Sequence, residues 1–153
     1  RAVEPELIPC MRKYGIALYA FQPLAGGFLT SRYRRNMAED DYEPDSRFDP
    51  NKFQGKLHHT RYVNDLSFHA LEVIQAEASK HGLTEAECAL RWLVHHSVLD
   101  AALGDKIIIG ASRAGQLEEN LVHLEKGPLP DDVVTAMENA YLRVKGVVPK
   151  YFH

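Results

Sequence analysis

The residues best placed to do chemistry stand between Lys106 and Leu121, in the run Lys-Ile-Ile-Ile-Gly-Ala-Ser-Arg-Ala-Gly-Gln-Leu-Glu-Glu-Asn-Leu. The β-branched stretch Ile107 to Ile109 suits a strand buried on both faces, and Gly110 ends it. Ser112 falls where a helix N-cap is wanted. From Ala114 the pattern turns helical, with Leu117, Leu121 and Leu124 on one side. A strand that passes through Gly-x-Ser into a helix offers backbone N–H groups and the positive end of a helix dipole, which together attract an anion. Arg113 adds a full charge that reaches a phosphate. An ordinary capped turn has the same spacing. A second stretch, Tyr19 to Tyr33, holds Gly26-Gly27, where backbone can approach a ligand closely, with the flat face of Phe21 before it and the cation of Arg32 after it. A Gly-rich turn ahead of a helix also reads this way.

The order of residues goes further than their spacing. Gly-Ala-Ser-x-x-x-Gln-Leu-x-Glu-Asn-Leu resembles the closing cofactor segment of aldo-keto reductases, and Tyr-Ala-Phe-Gln-Pro-Leu-Ala-Gly-Gly-Phe-Leu-Thr-Ser-Arg-Tyr resembles their pyrophosphate loop. The two occur in the family's order, and the likeness is nearest to the aflatoxin aldehyde reductase branch, which also reduces succinic semialdehyde. It covers essentially the whole chain but only the C-terminal half of the family. The fold it implies is α/β: residues 1–153 as the C-terminal portion of a single (β/α)8 TIM-barrel domain, about its last two strands and outer helices.

The resemblance also implies roles. Ser112, Arg113, Gln116, Glu119 and Asn120 would hold the 2′-phosphate, ribose and adenine of NADPH. Phe21 would stack on the nicotinamide, while Gln22, Leu24 and Gly26 would line the pyrophosphate. Arg32 would neutralise it, at a position where relatives usually carry Lys, and Arg47 would fold over the phosphates. The substrate would be a small aldehyde or ketone. For it, His58 stands where the branch has a carboxylate-binding Tyr, Arg61 matches the branch, and His153 replaces a terminal Arg. The family's chemistry needs a Tyr as general acid, a Lys that lowers its pKa, an Asp and a His. All four belong to the family's N-terminal half, so no catalytic residue is assigned here.

Elements must position these groups. Glu4 to Tyr14 reads as a helix stopped by Gly15, and Ile16 to Ala20 as a short strand. Tyr33 to Gly55 is polar and irregular, running from basic (Arg32, Arg34, Arg35) to acidic (Glu39, Asp40, Asp41, Glu43, Asp45), as a surface loop or lid would. Adjacent His58-His59 is a poor metal signal because neighbours point apart, and no metal is expected. Asn64 or Asp65 caps a helix that runs to Lys80, with Leu66, Ala70, Leu71 and Ile74 inward and Gly82 stopping it. Thr84 to Glu87 is a capping box opening another, with Trp92 in the core and His95-His96 at an end that favours a cation. Gly127-Pro128-Leu129-Pro130 breaks the chain before a last helix capped by Asp131 or Asp132, with Val133, Val134, Met137 and Tyr141 inward.

Composition sets the bounds. A chain of 153 residues with a net charge of −3 has no general pull toward nucleic acid or anionic membrane. No apolar run approaches the ~20 residues of a membrane span. The two cysteines, Cys10 and Cys88, read as reduced core residues of a cytoplasmic protein. Three functions are compatible: the cofactor half of an NADPH-dependent reductase, whose full-length form can be a homodimer; a non-catalytic NADP-binding regulatory subunit like the potassium-channel β-subunits, which share the Gly-Ala-Ser-x-x-x-Gln-Leu-x-Glu-Asn pattern; or an inactive gene fragment. Two strands cannot close a barrel, so exposed strand edges and apolar surface are expected.

Overall fold

A computed structural model describes residues 1–148 and 151. Among these residues six α-helices and a two-stranded sheet follow in the order α1 (Leu7–Lys13), β1 (Tyr19–Phe21), α2 (Phe53–Tyr62), α3 (Asp65–Lys80), α4 (Glu85–His95), β2 (Lys106–Ile108), α5 (Ala114–Glu125) and α6 (Asp131–Val144). The strands pair in parallel, Tyr19 opposite Lys106 and Phe21 opposite Ile108. A parallel pair needs a long crossover, and here α2 to α4 supply it.

Two apolar clusters hold α2, α3, α4 and α6. In the first, α3, α4 and α6 bury Ile74, Cys88, Trp92 and Val133. Ala70, Ala78 and Ala140 let the helix backbones approach there. Trp92 is core, as its context implied, and its Nε1–H donates to Glu138 Oε1 at 3.2 Å. Cys88 is fully buried, and burial pushes its thiol up to about 11. In the second cluster Phe28, Tyr33, Tyr42, Phe48, Phe68 and Leu71 meet. Most of its rings come from the segment between β1 and α2, so that segment is a packed loop rather than a free lid.

Helix ends follow local chemistry. Asn64 Oδ1 accepts from the Ser67 N–H at 2.9 Å, and Thr84 Oγ1 from the Glu87 N–H at 3.1 Å. The reciprocal half of the Thr84 box is not made, because the Glu87 carboxylate takes Arg91 at 2.7 Å and Lys126 at 2.9 Å. Burial opposes that charge, but Lys126 and Arg91 outweigh it and hold the carboxyl below its ordinary range. His123 Nε2 lies 3.5 Å from the same carboxylate, so Glu87 joins α4 to α5. Asp105 plays a like part at the sheet. It pairs with Arg12, and its Oδ1 and Oδ2 accept the N–H groups of Leu18 (2.7 Å) and Asp100 (2.9 Å).

Several elements differ from expectation. Helix α1 begins at Leu7, after a turn, though it still stops at Gly15 with φ 64°. The first strand sits at 19–21 rather than 16–20, because Asp105 grips the Leu18 N–H and pairing starts from Leu18 O. The second strand is 106–108, and it is not buried on both faces: Ile108 is 50% exposed. Leu117 and Leu121 on α5 are exposed as well. Leu66 is exposed on α3, and Cys10 is exposed rather than core. Val134, Met137 and Tyr141 are only half-buried, with Ala136 and Ala140 taking the inner line of α6. Helix α2 was not expected. His96 is no cation at its helix end: burial and the neighbouring His95 lower its pKa, and its Nε2 accepts the Leu129 N–H at 3.0 Å.

Candidate cofactor cleft

Three segments converge beyond the C-terminal ends of the strands. The first, just after β1, carries unusual backbone. Gln22 and Ala25 have φ of 56° and 51°, and Gly26 and Gly27 follow at 72° and 102°. Non-glycine residues held at positive φ cost of order 1–3 kcal/mol each and tend to mark functional turns. Gly26 has a steric reason as well: a Cβ there would lie 2.5 Å from Cδ2 and Nε2 of His58. Gly26→Ala should therefore lower stability by about 2 kcal/mol, read as a lowered melting temperature, while Gly115→Ala, on open surface, should not.

The second segment, Ile109 to Arg113, leaves β2 and enters α5. Arg113 occupies the N-cap position with extended backbone and no side-chain cap bond. This corrects the expectation for Ser112. Its Oγ donates to Gln116 Oε1 at 3.0 Å, and its N–H reaches the same oxygen at 3.2 Å. The first turn of α5 carries no acidic residue, unlike α4 and α6, so no carboxylate of its own first turn offsets its dipole.

The third segment is the loop through Glu43 and Arg47. Glu43 bridges two arginines, Oε2 to Arg32 at 3.0 Å and Oε1 to Arg113 at 3.1 Å. Arg47 has no ion pair among the described residues.

Together they enclose a cleft of about 1000 Å³, at the upper end of the range of small-molecule sites, ~300–1,000 Å³. Phe21, Gln22, Leu24, Gly26, Arg32, Arg47, Ser112, Arg113, Gln116, Glu119 and Asn120 all line it. Phe21 is 71% exposed and free to stack, while Asn120 is buried in the wall. His58 and Arg61 do not line it. The His58 ring is buried beneath Gly26, its Nδ1 on Gln54 O at 2.8 Å and its Nε2 without a partner, and Arg61 is exposed on α2. His153 lies outside the described residues.

Thr84, Glu85 and Ala86 also line the cleft, brought by the start of α4, and were not foreseen. Glu85 is 6% exposed and accepts from Ser31 Oγ at 3.1 Å. The capping box announced this helix start, but nothing in it said which way the start would face. Chemically, the cleft sets three arginines and an open helix end beside buried polar groups able to bind hydroxyls or amines. That fits a phosphorylated nucleotide.

The model of the "Aldo/keto reductase family" matches residues 1–142. The chain belongs to the aldo/keto reductase family. Aldo-keto reductase pigE of Monascus ruber is 52% identical over 153 residues, covering 100% of this chain and 45% of that protein. Aflatoxin B1 aldehyde reductase member 2 of Homo sapiens is 39% identical, covering 99% of this chain and 43% of that protein. The chain thus spans about half the length of the curated relatives it matches. Among solved structures, the glycerol dehydrogenase AKR11B4 from Gluconobacter oxydans superposes with a TM-score of 0.59 at 17% identity, covering 100% of this chain and 42% of that one. As part of an aldo-keto reductase fold, a two-stranded parallel piece with outer helices is the expected shape. No helix among the described residues is long and apolar enough to cross a membrane.

Proposed function

We propose that this chain is the NADP(H)-binding portion, corresponding to the C-terminal part of the barrel, of an aldo-keto reductase that reduces aldehydes or ketones to alcohols. The observation that supports it most is the meeting of the post-β1 loop, the start of α5 and the Glu43–Arg47 loop on one cleft with three arginines. When bound, the nicotinamide supplies hydride, and this chain's part is to bind and orient it. Arg113 and the open end of α5 would take the 2′-phosphate; Arg32, Arg47 and the Gly26 backbone the pyrophosphate; Glu119 and Asn120 the adenosine. Groups that protonate the carbonyl are assigned to none of these residues.

The test is calorimetric titration of NADPH and NADH into wild type and a Ser112→Ala, Arg113→Ala double variant. NADPH should weaken by roughly tenfold or more, and NADH by much less. Equal losses for the two cofactors would remove the 2′-phosphate assignment. NADPH binding without carbonyl turnover in the full-length protein would favour a regulatory NADP-binding subunit instead.

A further inference from the structure

We propose that Glu43 is the resident counter-ion of the two cleft arginines and sets cofactor affinity by competing with the cofactor's phosphates for them. The inference rests on the cofactor reading above and adds a residue to it. Glu43 places one oxygen on each arginine, 3.0 Å from Arg32 Nη1 and 3.1 Å from Arg113 Nη2. These are the forked N–H groups a phosphate would use, so carboxylate and phosphate cannot both have them. The third cleft arginine, Arg47, has no such pair among the described residues and is open to a phosphate from the start.

The backbone that carries Glu43 is anchored on both sides. Its neighbour Tyr42 is 7% exposed, with its ring 6.0 Å from Tyr33 and 4.6 Å from His59. On the other side Pro44 restricts the backbone, and the Asp45 N–H donates to Asp49 Oδ2 at 2.8 Å. This keeps the carboxylate within reach of both arginines. The nearby charges are engaged elsewhere: Asp41 lies 3.8 Å from Arg34, and Asp45 pairs with Lys52 at 2.8 Å. Both Glu43 pairs are substantially exposed, so each is weak and exchanges readily for a phosphate of higher charge. A cleft neutralised in this way binds its cofactor less tightly and releases it sooner.

The experiment is calorimetric titration of NADPH into wild type, Glu43→Gln, Glu43→Ala and Asp40→Asn. Asp40 is exposed on the same loop and controls for the loss of one negative charge. Both Glu43 variants should bind about fivefold more tightly than wild type, and Asp40→Asn should match wild type. Weaker binding by the Glu43 variants would make Glu43 a strap over the bound cofactor and overturn the proposal. Equal tightening by Asp40→Asn would assign the effect to general charge and also overturn it. Unchanged affinity in the Glu43 variants, with wild type binding normally, overturns the competition alone. No binding by wild type or any variant overturns the cofactor reading itself.

Discussion

Phe48→Ala should destabilise the protein by about 3–5 kcal/mol, the range for deleting a fully enclosed aromatic ring. Phe48 is 0% exposed and is the hub of the loop-side cluster, its ring centroid 4.4 Å from Tyr33, 5.2 Å from His58 and 6.1 Å from Tyr62. None of these neighbours can collapse fully into the space, because each is tied to its own backbone element. The loop that presents Glu43 and Arg47 would loosen with the cluster, so NADPH affinity should fall beside stability. Urea unfolding reads the first effect as a lower midpoint at an unchanged slope. Phe48→Leu should recover most of the loss. If the alanine variant unfolds at the wild-type midpoint, the loop is not held by this cluster.

Asp105→Ala is the second large effect, about 3 kcal/mol, because it strands several groups at once. The carboxylate is buried, while Arg12 pairs with it and Leu18 and Asp100 donate their N–H groups to it. Removing it leaves a cation and two backbone donors unmatched where α1 and both strands meet. The Arg12 guanidinium, aided by those two N–H groups against the opposing effect of burial, holds the Asp105 carboxyl far below its usual range. The sign follows from a lowered folded-state value. The stabilisation is complete above the unfolded carboxyl range, near pH 4, and is lost as pH falls from there toward the folded value. Wild type should thus lose stability on acidification below about pH 4, and Asp105→Asn should flatten that part of the profile. Identical acid profiles for the two proteins would show that Asp105 is not what couples folding to protons there.

That the candidate cofactor residues meet at one cleft was largely legible in sequence, because most of them lie in two short runs, each a single strand-to-turn unit. Parallel pairing of the two strands then brings the runs together without any further information. The helix start at Thr84 and the stop at Gly15 were readable for a similar reason, since caps are decided by near neighbours. What was not legible depends on contacts distant along the chain. The first strand starts three residues later than expected because Asp105, far along the sequence, holds Leu18. The polar look of residues 33–55 hid Tyr33, Tyr42 and Phe48, whose burial depends on α3. Glu43 was visible only as one acid in an acidic run, because the fold, not the local sequence, brings its two arginines to it. His58 looked available for a ligand until Gly26 was found lying on it.

The unequal lodging of the two cysteines makes the molecule its own clock. Cys10 sits exposed on α1, whereas Cys88 is sealed among α3, α4 and α6, and its thiol stays protonated up to about 11. Alkylation depends on thiolate and access together, so an excess of iodoacetamide near neutral pH should label the native chain once, promptly, and then pause. The second label can arrive only when the three helices part, and its arrival time therefore measures how often they do. Intact mass against time, with no mutation and no attached dye, would give the opening rate of the helical core.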